Sequence, residues 1–135
     1  MADLVITASS VSGTTGGTGT AGEAITAGDV LALSGGSLVL ADANGGTGAA
    51  NALRKPVGIA LNDAAAGQPV AYATPGSMVT LGAVLTAGTA YYLSGTPGGI
   101  APVADVAAGM TPIVVGIAFS TSQLKISMLS SGVEI

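Results

Sequence analysis

A chain of 135 residues is long enough for one domain with a sizeable core, and it carries 7 acidic and 3 basic residues, no histidine and no cysteine, for a net charge of −4. Three cations, Arg54, Lys55 and Lys125, cannot track a phosphate backbone, which argues against nucleic acid as a partner. The missing cysteine and histidine exclude disulfides, thiolate chemistry and the common nucleophile–base pairs, and they fit a protein made in a reducing cytoplasm.

Hydrophobic residues make up 49% of the chain but aromatics only 3%, so the apolar content is Ala, Val, Leu and Ile. Such side chains bury little area each, at about 25 cal/mol per Å2. The 22 glycines add conformational entropy to the unfolded state. Extra stability from oligomerisation or docking is therefore expected. A mean hydropathy of +0.71 raises a membrane reading. Against it, the most apolar piece, Val106 to Phe119, is broken by Gly109, Pro112 and Gly116, whereas a spanning helix needs about 20 mostly apolar residues. No basic region precedes an apolar stretch at the N-terminus, so no signal peptide is expected.

In chain order, residues 2–8 are apolar and β-branched enough for a short strand. Residues 9–22 hold Gly, Thr and Ser with one sizeable apolar side chain, Val11, and read as a flexible linker or long surface loop. A tether of this kind would let the apolar tip Leu4-Val5-Ile6 dock on a partner. Short strands are expected at Glu23 to Thr26, Val30 to Leu33 and Leu38 to Leu40, with turns at Gly28, Gly35 and Gly36. Pro56 to Leu61 is a continuous apolar run, which reads as a strand buried on both faces or as the seam between two packed sheets. Gln68 to Ala73 follows. The pattern then recurs at Met78 to Leu81, Val84 to Thr86, Ala90 to Leu93, Pro112 to Phe119 and Gln123 to Met128. The only plausible helices are brief, at Gly48 to Leu53 and Val103 to Met110.

The recurrence is literal. Ile25-Thr26-Ala27-Gly28 with Leu33-Ser34-Gly35 matches Leu85-Thr86-Ala87-Gly88 with Leu93-Ser94-Gly95, and Val57-Gly58-Ile59-Ala60 matches Val115-Gly116-Ile117-Ala118. One β-rich unit is used twice. Gly58 and Gly116 coincide within their strands, which predicts a bulge or a close backbone approach in both. The copies differ at Asp29 against Thr89, Lys55 against Ile113, and Leu31-Ala32 against Tyr91-Tyr92. The expected fold is all-β, a compact β-barrel or sandwich of two related repeats at 22–76 and 77–135. A flexible N-terminal arm and tether at 1–21 precedes this single domain.

No constellation points to chemistry. Asp42-Ala43-Asn44-Gly45-Gly46 is a turn sequence without the closing carboxylate of a calcium loop. Glu23 and Asp29 read as strand-end carboxylates, and Gly16-Gly17-Thr18-Gly19 lacks the ending of a phosphate loop. No catalytic, metal-binding or cofactor-binding residue is assigned, and no cofactor is expected. Arg54-Lys55 is either a solvated pair or a contact with an acidic partner surface.

Gly22-Glu23-Ala24-Ile25-Thr26-Ala27-Gly28-Asp29-Val30, Lys55-Pro56-Val57-Gly58-Ile59-Ala60-Leu61-Asn62 and Ala66-Gly67-Gln68-Pro69-Val70 resemble words of small phage capsid-decoration (cement) proteins. So do Leu85 to Gly88, Tyr91 to Ser94 and Thr96-Pro97-Gly98-Gly99-Ile100-Ala101-Pro102. The resemblance runs from about Gly22 to the C-terminus. It implies a structural virion protein, made in the host cytoplasm and seated as a homotrimer on the outside of the shell. There it would bind the phage major capsid protein and resist internal pressure. Leu4, Val5, Ile6, Arg54 and Lys55 are the expected capsid contacts, and Tyr91 and Tyr92 the expected oligomer or surface contacts. The other reading is a β-rich surface or tail module binding carbohydrate through its few aromatics, Tyr72, Tyr91, Tyr92 and Phe119.

Overall fold

The computed structural model describes residues 3–46, 51–131 and 133. Eleven strands account for the regular structure of these residues: β1 (Ser12–Gly13), β2 (Gly17–Thr20), β3 (Val30–Ser34), β4 (Ser37–Leu40), β5 (Pro56–Ala60), β6 (Pro69–Ala73), β7 (Met78–Thr80), β8 (Ala90–Leu93), β9 (Ile100–Pro102), β10 (Ile113–Ala118) and β11 (Gln123–Ser130). They form two antiparallel sheets, β2-β6-β5-β3-β4 and β1-β7-β11-β10-β8-β9. The sheets stack as a sandwich and do not close into a barrel. The helices expected from sequence shrink to 3₁₀ turns at Ala52–Arg54 and Val103–Asp105, joined by a third at Ala8–Ser10. Part of the Gly48 to Leu53 expectation, 48–50, lies outside the described residues. Glu23 to Thr26 and Val84 to Thr86 are not strands: Ile25 forms a single isolated bridge with Ala64, exchanging two backbone bonds, Leu85 N–H donates once, to Thr121 O, and the chain then turns.

The duplication extends to topology. β2, β6, β5, β3 and β4 correspond in order to β7, β11, β10, β8 and β9. Equivalent backbone bonds recur: Gly28 N–H donates to Ala60 O at 2.9 Å and Gly88 N–H to Ala118 O at 2.8 Å, while Ile25 N–H donates to Ala64 O at 2.8 Å and Leu85 N–H to Thr121 O at 3.0 Å. The paired glycines behave as their position demands. Gly58 faces Leu31 and Gly116 faces Tyr91, each beside a register shift. A Cβ on Gly58 would collide with the Ala73 carbonyl, and one on Gly116 with the Lys125 carbonyl. Only a residue without a side chain lets these strands approach.

The two units stack front to back. In the first, Val30, Ala32, Ile59 and Ala73 point into the core shared by both sheets. The opposite face of that sheet (Ala21, Ile25, Leu31, Leu38, Ala60 and Val70) encloses a small core of its own, with Tyr72 packed against it. In the second unit the faces are exchanged. Leu81, Leu85, Tyr91, Ile100, Ala118 and Leu124, the counterparts of Ala21, Ile25, Leu31, Leu38, Ala60 and Tyr72, fill the shared core. Backbone bonds tie the units together, from Val30 N–H to Gly98 O at 2.9 Å, Ala43 N–H to Ser94 O at 3.0 Å and Thr111 N–H to Ala43 O at 2.8 Å.

The N-terminal segment differs from its expected form. Residues 12–13 and 17–20 are strands at the edges of the two sheets, β1 on β7 and β2 on β6. Its glycines answer to close packing more than to looseness. A Cβ at 17 would stand 2.6 Å from the Tyr72 ring, and one at 19 would stand 2.8 Å from Leu38 Cδ1. Residues 3–7 do not form a strand of their own, but Leu4 N–H donates to Ile100 O at 2.8 Å and lies along β9.

Candidate functional site

The outer face of the six-stranded sheet is the one large apolar face that the described residues leave uncovered. Strand alternation sets its membership. On β11, Leu124 and Ile126 point inward while Lys125, Ser127 and Leu129 point out, and Leu129 pairs with Val114 of β10. Ile117 pairs with Lys125 on one side and Ala90 on the other, and Val114 pairs with Tyr92. Ile117 is 51% exposed, Leu129 68%, and Phe119, the sole phenylalanine, 74%. These values decide the matter: large apolar side chains in a run on one sheet face mark an interaction surface more than a scatter of single exposed residues does. Tyr92, Pro112, Val114, Leu129, Ser130 and Ser131 line a shallow groove of about 320 Å3 at one end of the face.

A register shift shapes that end. β11 spends an extra residue between its pairings with Val114 and Gly116, and Met128 adopts φ 50°. Among the described residues the ten other positive-φ positions are all glycines. A side chain in the left-handed region costs about 1–2 kcal/mol. Alternation along β11 turns Leu129 out, and the shifted register sets it opposite Val114.

The residues singled out in the sequence separate into accessible and inaccessible sets. Arg54, expected at a capsid contact, is 2% exposed and cannot touch a partner in this fold. Its Nε donates to Gly45 O at 3.0 Å, NH1 to Thr111 Oγ1 at 3.1 Å and NH2 to Gly46 O at 3.4 Å, so the guanidinium pins the 42–46 turn to the second unit. Lys55, the next residue, is exposed. Tyr91, expected as a surface contact, is 4% exposed, and its hydroxyl accepts from Thr86 N–H at 2.9 Å. Tyr92, one step along the strand, reaches the outer face. Leu4 and Ile6 pack half-buried against the shared core, whereas Val5 is 82% exposed. Asp3 Oδ1 accepts from Ser94 Oγ at 2.7 Å, which holds the start of this segment. Sequence reasoning missed Ile117 and Leu129; the alternation of Leu124, Ile126 and Lys125 was the available signal for the second.

The carboxylates serve the backbone. Glu23 accepts from Leu40 N–H at 3.0 Å, Asp29 from Thr26 N–H at 2.9 Å, and Asp63 from Ala27 N–H at 2.9 Å. Burial pushes the Asp29 carboxyl above the usual carboxylate range, against the opposing pull of the Thr26 N–H and with help from the charges of Asp63 and Glu23. Asp42 caps its own turn by accepting from Asn44 N–H at 3.1 Å. Among the described residues no group of three or more His, Cys, Asp or Glu is placed to hold a metal ion. No helix among them is long and apolar enough to cross a membrane. No protein-family model matches the chain, and no curated protein matches it.

Proposed function

We propose that this is a structural virion protein, a capsid-decoration (cement) protein that binds the outer surface of a phage capsid as a homotrimer and ties neighbouring capsomers together. The observation that carries the reading is the exposed apolar face of the six-stranded sheet, held on a stiff body of two stacked units. A broad surface of this kind suits a wide interface of many modest contacts. The run of residues from Gly22 onward that resembles cement proteins supports it. Lys55 and Val5 are the accessible members of the expected capsid contact set. The test is co-sedimentation of the full chain with undecorated capsids: binding supports the reading, and a protein that stays in the supernatant overturns it.

A second reading is favoured by the groove at Tyr92, whose ring and the neighbouring Ser130 and Ser131 offer a stacking surface with polar edges for a sugar. Specific binding on a glycan array, with no capsid binding, would select it.

A further inference from the structure

The two halves of the chain close their sheets differently. In the first unit the end of β2 runs directly onto β4: Ala21 bridges Leu38, and Gly22 N–H donates to Leu38 O at 2.8 Å. In the second unit Ile100 is the counterpart of Leu38, and Gly82 that of Gly22. Yet it is Leu4 N–H that donates to Ile100 O, also at 2.8 Å. A Cβ on Gly22 would meet Ser37 and Val39 of β4, whereas one on Gly82 would find only Ser10 within 4 Å, at 3.2 Å. The second unit thus leaves a gap between the end of β7 and β9, and residues 4–10 fill it.

The filling has a pattern. Leu4, Ile6 and Val11 pack half-buried against the shared core, while Val5, between the first two, is exposed. One residue ahead, Asp3 Oδ1 accepts from Ser94 Oγ, and that hydroxyl in turn accepts from Thr96 N–H at 2.9 Å. A Cβ on Gly28 would stand 2.8 Å from Ile6 and 3.2 Å from Val11, so the first Thr-Ala-Gly turn lies against the same side chains. Of the backbone donors described in residues 4–11, only Leu4 N–H reaches a sheet; those of Ser10 and Val11 bond back within the segment. A segment held by side-chain insertion and so few backbone bonds opens at a lower free energy than paired strands do.

We infer that the gap between β7 and β9 is a strand-binding slot for an extended peptide of the pattern acidic, apolar, any, apolar, and that residues 3–11 are its displaceable occupant, held in cis. The slot supplies Ile100 O to the peptide backbone, Ser94 Oγ to its carboxylate and the shared core to its two alternate apolar side chains, which is how sheet edges capture peptides. β1, paired with β7 at Ser12 and Gly13, keeps the far end of the segment attached when the near end lifts. The inference depends neither on the capsid reading nor on the exposed face of the six-stranded sheet.

The experiment titrates a fluorescent peptide of residues 3–13 into the full-length protein and into its full-length Leu4→Ser/Ile6→Ser variant, and reads anisotropy. The parent's own segment competes at an effective concentration on the order of millimolar, so the variant is expected to bind the peptide about tenfold more tightly than the parent, or better. A peptide carrying Leu4→Asp and Ile6→Asp is expected not to bind. No gain in affinity over the parent, no binding to a variant that keeps the parent's far-ultraviolet circular dichroism, or binding of the Asp peptide each overturns the inference. Where the variant does not fold, amide exchange in the parent decides. The Leu4 amide is expected to exchange faster than that of Ile126, which donates to Ser77 O at 3.0 Å, and more slowly than a free peptide amide. Exchange as slow as that of Ile126 makes the segment inseparable from the global fold, and exchange at the free-peptide rate leaves the slot unoccupied; either result overturns the inference.

Discussion

Asp29 and Tyr91 satisfy the same backbone donor in the two halves of the chain. The Thr26 N–H of the first Thr-Ala-Gly turn donates to the Asp29 carboxylate at 2.9 Å, and the equivalent Thr86 N–H donates to the Tyr91 hydroxyl at 2.9 Å. Thr89 stands where the second unit would need the aspartate, and Leu31 stands where the first would need the tyrosine. The differences at Asp29/Thr89 and Leu31/Tyr91 are thus one exchange. Tyr91→Phe is therefore expected to strand the Thr86 amide and lower stability by about 1 kcal/mol, read as a lower urea midpoint with an unchanged slope.

Asp29 gives the stability a pH dependence whose sign follows from its raised pKa. The folded protein holds this proton more tightly than the unfolded chain does, so folding takes up a proton between the two values. Ionised Asp29 thus subtracts from stability above its raised folded value. That loss is relieved as pH falls toward the ordinary carboxylate value of the unfolded chain. Asn at this position keeps a carbonyl acceptor for Thr26 and removes the titration. Thermal melts from neutral to mildly acidic pH should show a smaller acid-side gain, or a larger acid-side loss, for Asp29→Asn than for the parent, and no less stability at neutral pH. Parallel curves for the two proteins would contradict this assignment.

Gly58→Ala and Gly116→Ala each force a methyl group into the carbonyl of a neighbouring strand, Ala73 or Lys125. Overpacking of this kind costs about 1–3 kcal/mol. Gly35→Ala has nothing within 4 Å of the new Cβ and bears only the strain of φ 60°, about 1 kcal/mol. Denaturant titration of the three variants should rank both strand glycines above the turn glycine.

Arg54→Met keeps most of the buried stem and removes the donors to Gly45, Gly46 and Thr111. Hydrogen bonds from a charged group contribute about 1.5–3 kcal/mol. A loss in that range is expected by thermal or urea unfolding, together with faster amide exchange in residues 42–46. Lys55→Ala, one position on and exposed, should leave stability within about 0.5 kcal/mol of the parent.

Much of this architecture was legible in the residues. The matched Val-Gly-Ile-Ala words marked β5 and β10, and their glycines marked the close strand approach. Other features had no local sign. Gly17-Thr18-Gly19-Thr20 has the composition of a linker, and what makes it a strand is Tyr72 and Leu38, distant in sequence, which need neighbours without side chains. Arg54 is held largely by carbonyl oxygens, which every residue type supplies. Tyr91 and Tyr92 look alike in the chain, but alternation along β8 sends one into the core and the other to the surface. The match of Tyr91 to the apolar Leu31 could have separated them.

Removing residues 1–20 is not a clean probe of an N-terminal contact, because it takes away β1, β2 and the side chains of Leu4, Ile6 and Val11 that pack on the core. The truncated chain is expected to melt at a lower temperature or to aggregate. Val5→Glu, at the exposed position between two packed ones, should leave melting unchanged and weaken capsid co-sedimentation. Unchanged co-sedimentation would remove Val5 from the contact set.

The placement of β1 and β2 also sets an order of events during folding. These strands close against β7 and β6, and β7 in turn pairs with β11, far along the chain. Pairings this distant along the chain are slow to form, since a long loop must be ordered before any contact rewards it. The edge pairings of β1 and β2 are therefore expected to form after the local pairing of β3 with β4 and β5.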